Sequence, residues 1–288
     1  MKSANFIRNL VRTAAISLLC LGFAAASFAA KNPLNQPNGL AVDGQGNLYV
    51  ANTGANSILV FNSKYKLSET IGNVQHPTGV AIDPQGNAWV ANWEPNGGFF
   101  SEYVGGKLNP YSVVTEGVDE PLAIAVDGLG NVWVQNAQSY IDIYTQPAIY
   151  SGSTYPTLQQ TFNVAGPLYG IAVQENSVAI GGLGLGVVFG PALSTITSGS
   201  FNPTYVDPND TGYAVAGDGH GNFYLANIDD AVAIATPGAK PVEFLSLTFM
   251  PAGIAVDPVN ARLYVSNFSG NLIQVYSTTT AKLIETIQ

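Results

Sequence analysis

The chain has only two histidines, His76 and His220. His76 directly precedes Pro77, and 44 residues later Glu120 directly precedes Pro121. An imidazole and a carboxylate at matching places in successive segments can pass a proton, and with amide oxygens they can hold a divalent cation. Asn92, Trp93 and Asp119 lie close to this pair in sequence, while Asn136 and Asn227 occupy the place of Asn92 in later segments. Asp210 and Tyr213 flank the same place further along. The candidate ligand-binding residues are therefore His76, Asn92, Trp93, Glu120, Asn136, Tyr213 and Asn227. If the chain is an enzyme, His76 and Glu120 are its catalytic candidates. A calcium or zinc ion would then fall to Glu120, Asn92, Asn136 and Asp210, and the residues commit to no other cofactor. No nucleophile elbow, phosphate-binding loop or CxxC pair is present. "GGLGLG" (Gly181 to Gly186) joins two apolar runs instead of opening a helix, so it reads as a turn.

These residues recur because the chain repeats itself. "PNGLAVDGQGNLYVAN" (Pro37 to Asn52) returns as "PTGVAIDPQGNAWVAN" (Pro77 to Asn92) and "PLAIAVDGLGNVWVQN" (Pro121 to Asn136). Looser copies are "PLYGIAVQENSVAIGG" (Pro167 to Gly182), "GYAVAGDGHGNFYLAN" (Gly212 to Asn227) and the longer "PAGIAVDPVNARLYVSN" (Pro251 to Asn267). Six units about 40 to 45 residues apart carry the period of propeller blades. Each unit opens with an apolar run, a Gly-rich turn and an alternating run, and two more strand-like runs follow. The expected fold is all-β: a six-bladed β-propeller of four-stranded antiparallel blades.

The first run carries alanine at one place in all six copies: Ala41, Ala81, Ala125, Ala172, Ala216 and Ala255. The second run broadens to an aromatic in five of them, which suits blades that crowd at the axis and splay outward. Asp43, Asp83, Asp127, Asp218 and Asp257 begin the turns, where a carboxylate accepts hydrogen bonds from nearby amides. One carboxylate per turn is too few for a calcium cage. The Asn residues closing the second run, Asn52, Asn92, Asn136, Asn227 and Asn267, fall on the opposite, top face, where they either cap a loop or line the channel mouth. The sequence leaves two ways to close the ring: packing of the last blade on the first, or an added strand from residues 31–36.

Residues 1–30 read as a secretory signal peptide, with Lys2, Arg8 and Arg12 before an apolar run and small residues at 27–30. Its removal takes three of ten basic residues and none of nineteen acidic ones, moving the net charge from −9 to −12. Such a chain repels nucleic acid. It also loses its single cysteine, Cys20, so an exported domain of residues 31–288 must rest on its apolar core instead of disulfides. The expected location is periplasmic or secreted, with no membrane association after cleavage.

The motif P-x-G-[apolar]-A-[apolar]-D-x-x-G-N-[apolar]-[aromatic]-V-x-N resembles the NHL repeat over residues 34 to 288. That resemblance implies a propeller but not one function, because similar propellers include binding scaffolds and enzymes. Amidating lyases of related build need three zinc-binding histidines, and two are too few. Gluconolactonase-like propellers hold their cation with an early Glu that "NPLNQPNG" does not supply. Streptogramin lyases use a His and a Glu, of which His76 and Glu120 are a loose echo. The reading is an exported, non-catalytic scaffold binding a protein, peptide or glycan through its top face, with Tyr150 and Tyr155 of a long blade-three connection adding contact surface. The alternative is a metal-assisted hydrolase or lyase with a divalent cation at the channel mouth.

Overall fold

The computed structural model describes residues 31–145, 156–163, 168–174, 177–182, 186–191, 204–205, 212–236, 239 and 242–288. The predicted leader, Tyr150, Tyr155 and Asp210 lie outside the described residues. The blades fall within one compact unit, Leu34–Gln288.

Each repeat forms one antiparallel sheet whose strands are ordered as in the chain. In blade one these are β1 (Pro37–Val42), β2 (Leu48–Asn52), β3 (Ser57–Phe61) and β4 (Leu67–Ile71). Blades two to six occupy 77–114, 121–163, 168–205, 212–246 and 253–287. Five of these sheets have four full strands. Blade four ends on a two-residue outer strand, Thr204–Tyr205, so the expectation of six four-stranded blades is corrected to five complete ones and one with a rudimentary edge. The sequence before that edge, "STITSGSFNP", is rich in Ser, Gly and Pro and carries little strand alternation. The one helical turn among the described residues is Thr53–Ala55.

The innermost strands pack side by side in chain order, and that of blade six, Gly253–Asp257, returns against β1. The ring therefore closes by packing, and residues 31–36 form no strand. Ala41 sits directly opposite Tyr49, Ala81 opposite Trp89, Ala125 opposite Trp133, Ala216 opposite Tyr224 and Ala255 opposite Tyr264. Small side chains thus face the neighbouring blade near the axis, and large ones fill the wedge one strand out. In the degenerate fourth copy Ala172 faces Ala179.

The closing seam is a typical inter-blade core with polar pins. Leu40, Leu48 and Val50 of blade one bury against Ala255, Tyr264 and Val275 of blade six, and Leu34 joins them. Ser266 Oγ donates to Asn38 O (2.9 Å), and Gln36 N donates to Asn271 Oδ1 (2.7 Å). Arg262 donates to Ser63 O (2.8 Å) with its guanidinium 4.9 Å from the centre of the Tyr65 ring, a cation–π contact that ties the outer part of the seam.

Candidate functional site

The turn aspartates come first, because they fix the strand that positions everything else. Asp83 Oδ1 accepts from Gln85 N (2.9 Å) and Asn87 N (2.8 Å), and its Oδ2 accepts from Asn87 Nδ2 (3.0 Å) and Trp89 Nε1 (3.1 Å). Asp127 repeats the pattern through Trp133. Asp43 and Asp218 make the same backbone and Asn bonds, and Asp257 a shorter version with Asn260. These carboxylates are spent inside their own turns. His220 lies in one of them, at the end of the ring opposite His76.

On the top face, the asparagines closing the second strands of blades one to three are buried and reach back to the loop that leads into their own blade. Asn52 Oδ1 accepts from Asn35 N (2.6 Å), Asn92 Oδ1 from Gln75 N (2.9 Å) and Asn136 Oδ1 from Asp119 N (3.0 Å). Their nitrogens donate within the blade, to Ser57 Oγ, Ser101 Oγ and Asp142 Oδ2. The amides of Asn92 and Asn136 therefore act as staples that hold a loop instead of facing the channel. Asn227, in blade five, is also buried.

The residues before the repeat prolines are clasps between blades. Gln36, His76 and Glu120 all have positive φ (54°, 38° and 51°). His76 N donates to Asn56 Oδ1 of blade one (2.8 Å), and Glu120 N donates to Gly97 O of blade two (2.5 Å). Their carbonyls accept from Trp93 N and Ala137 N. The exposed His76 ring meets Trp93 edge-on at 6.3 Å, whereas the Glu120 carboxylate accepts from Asn96 N (2.9 Å). The two side chains proposed as an acid–base pair thus have separate partners. Among the described residues, no three of His, Cys, Asp and Glu come together as a metal ligand set. The oxygens of Asn92 and Asn136 accept from backbone N–H groups, and Asp210, the fourth candidate ligand, lies outside the described residues.

One buried carboxylate stands apart. Asp142 occupies in blade three the place Ser101 holds in blade two, and it accepts from Thr161 Oγ1 (2.5 Å) and Asn136 Nδ2 (2.9 Å). Burial raises its pKa above the usual carboxylate value, and the two hydrogen bonds only partly oppose this. The folded state then binds more protons than the unfolded one between the unfolded and folded pKa values. Stability falls as pH rises through that window and is level above it. Asp142→Asn, which can keep both contacts, removes the penalty. Melting curves are expected to show it more stable than the parent at pH 8 by about 1 kcal/mol, or roughly 2–4 °C. The gain should vanish at pH 3, below the unfolded value. An equal gain at both pH values would show that the carboxylate charge is not responsible.

Blade six breaks the top-face pattern. Its copy has seventeen residues where the first has sixteen, and its first strand lacks the register shift seen at the start of the other five. Asn267 turns its oxygen to Gly270 N (2.7 Å), inside its own turn. Met250, in the place of His76 and Glu120, does not have positive φ, and among the described residues its N–H makes no bond to the preceding blade like theirs. Where staple and clasp are missing, a cavity of about 640 Å³ opens among blades five, six and one. Tyr213, Phe249, Met250 and Phe268 line it, with Asn38, Asn267 and Ser269 as its polar groups. Tyr213 also stacks on Tyr169 at 5.0 Å, where the two rings stand at the channel mouth. Burial, then the neighbouring Tyr169, raises the Tyr213 pKa, so its hydroxyl stays neutral.

Of the sequence candidates among the described residues, only Tyr213 lines this cavity. Asn267 stood among the repeat asparagines, but Phe249, Met250, Phe268, Asn38 and Ser269 were not among the candidates. The signal that could have found them is the extra residue of the sixth copy.

The NHL repeat pattern matches residues 34–61, the first three strands of blade one and the segment leading into them. No curated protein sequence is significantly similar to the chain. Among solved structures, a selenomethionine-substituted virginiamycin B lyase from Staphylococcus aureus superposes with a TM-score of 0.58 at 15% identity, covering 87% of this chain and 83% of that one. A streptogramin B lyase gives 0.58 at 14% identity, covering 90% and 84%. At such identities the likeness is one of fold: the chain is a β-propeller of four-stranded blades that carries an NHL repeat.

Proposed function

We propose that this protein is an exported, non-catalytic binding propeller that takes a protein, peptide or glycan partner on its top face, where the cavity among blades five, six and one is the anchoring point. The observation that carries this reading is the cavity's lining. Among the described residues it holds aromatic rings, a thioether and neutral amides and hydroxyls, but no carboxylate, imidazole, lysine or arginine. A site of this kind can hold an apolar group and orient it by a few hydrogen bonds. It lacks a group able to move protons near neutral pH. The activity named for the two lyase structures belongs to those proteins. His76 and Glu120, the residues that could echo it, hold the ring together through their backbones.

Metal dependence tests the reading. Protein stripped with EDTA and reloaded with Ca²⁺, Zn²⁺ or Mn²⁺ is expected to keep its melting temperature within about 1 °C, with Glu120→Gln behaving alike. A cation present at about 100 times its dissociation constant would add about 2.7 kcal/mol, or several degrees at this size. A shift of that order, lost in Glu120→Gln, would overturn the scaffold in favour of the metalloenzyme.

A further inference from the structure

We propose that the cavity among blades five, six and one binds a neutral ligand that combines a flat apolar ring with an amide- or hydroxyl-like hydrogen-bonding edge. The inference rests on the binding reading above and fixes the chemistry of what the cavity holds.

Volume sets the first limit. About 640 Å³ lies within the roughly 300–1,000 Å³ of small-molecule sites, enough for a fused-ring ligand or one large side chain of a partner. The wall sets the second. Tyr213, Phe249 and Phe268 bring three rings to one space, and aromatic faces and edges favour another ring in offset or edge-on contact. Met250, half exposed at the rim, supplies a polarizable thioether that adapts to a ring edge.

Charge sets the third limit. Among the described residues every polar group on the wall is neutral: the amides of Asn38 and Asn267, and the hydroxyls of Ser269 and Tyr213. An ionised ligand would leave water with no opposite charge to meet, which is costly. An amide or hydroxyl edge would instead find both donors and acceptors. Asn267 is set up for this by the same change that opens the cavity. Its oxygen is held by Gly270 N, which fixes the amide plane and leaves the nitrogen as a donor. In blades one to three the corresponding asparagine is used at both ends of its amide.

The test uses 2-naphthamide, a fluorescent probe with a flat ring and an amide edge, against 2-naphthoate and decahydro-2-naphthamide. Titration of the purified protein is expected to give saturable binding of 2-naphthamide with a dissociation constant of about 1 mM or tighter, as suits a probe of its size. The anionic and non-planar analogues should each bind at least about tenfold more weakly. Phe268→Ala should weaken 2-naphthamide binding about tenfold and Met250→Ala about threefold, while Leu129→Ala on the bottom face leaves it unchanged. Met250 is half exposed, so its variant folds even if Phe268→Ala does not, and melting curves check both. No saturable binding overturns the proposal. So does equal affinity for 2-naphthoate, or binding that neither Phe268→Ala nor Met250→Ala weakens. Hydrolysis of bound 2-naphthamide to 2-naphthoate and ammonia, lost in Phe268→Ala, would support the seat while overturning the non-catalytic reading.

Discussion

Asp83→Ala lowers the stability of the propeller by about 3 kcal/mol, a fall in melting temperature of roughly 6–12 °C, whereas Asp43→Ala costs about 1 kcal/mol. Both carboxylates begin a turn and both accept two backbone N–H bonds and one Asn side chain. The difference lies in where the orphaned donors end up. Asp83 is buried and also receives the indole N–H of Trp89, which is wholly buried. Its removal strands that N–H in an apolar wedge, where no water can replace the bond. Asp43 faces Tyr49 instead of Trp and stands half exposed, so water satisfies most of what it leaves behind. A double-mutant cycle isolates the indole term. In a Trp89→Phe background, Asp83→Ala should cost about 1 kcal/mol less than in the parent. Equal costs in both backgrounds would show that the Trp–Asp bond contributes nothing. A fall in melting temperature on EDTA treatment, as large as that from Asp83→Ala, would show that the turns hold calcium.

That pairing was half legible in the sequence. The Asp turn and the aromatic in the next strand each stood out by repetition, and the taper from Ala81 to Trp89 follows from ring geometry. The bond between Asp83 and Trp89 did not stand out, because it crosses a turn and exists only once the strand is paired. The asparagine staples were hidden for a similar reason. Each spans 17 residues, from Asn52 to Asn35, Asn92 to Gln75 and Asn136 to Asp119, a distance at which side-chain chemistry alone points nowhere. Repetition drew attention to His76 and Glu120 as side chains, yet their shared place is a backbone demand: a left-handed residue before proline that ties one blade to the next. The cavity comes from the one copy that departs from the frame. Apart from Asn267 its residues carry no repeated signature, and Phe268 and Ser269 lie in the turn that follows the longer sixth copy. The buried amide of Gln135 finds no partner at either end among the described residues, and nothing in the structure explains it.

The repeat glycine before the strand alanine marks the closest approach of neighbouring blades, and the closing seam is where it matters most. A Cβ on Gly253 would stand 2.1 Å from Asn38 O and 2.9 Å from Asn38 C, both backbone atoms of blade one. Corresponding contacts at Gly39 and Gly170 are 2.7–2.8 Å, while blades three and five carry Ala123 and Ala214 in this place. Gly253→Ala must therefore push blade six away from blade one. Overpacking of this kind costs about 1–3 kcal/mol where the surroundings can yield, and more where the obstacle is backbone. At this seam the displacement also pulls on the Ser266 Oγ bond to the same Asn38 O. Blades six and one are neighbours in the ring but not consecutive in the chain, so packing and the polar pins oppose separation here without a linker between them. The expected loss is at least about 3 kcal/mol, or roughly 10 °C in melting temperature. Gly44→Ala is the matched control: its added Cβ meets nothing within 4 Å, and its backbone is not left-handed. It should be neutral or stabilising by a few tenths of a kcal/mol, through the lower entropy of the unfolded chain. Hydrogen exchange then distinguishes an opened ring from a generally weakened one. Faster exchange confined to blades one and six identifies the seam as the place of failure. Uniform acceleration around the ring, or a melting temperature like that of Gly44→Ala, would mean that closure does not depend on this contact.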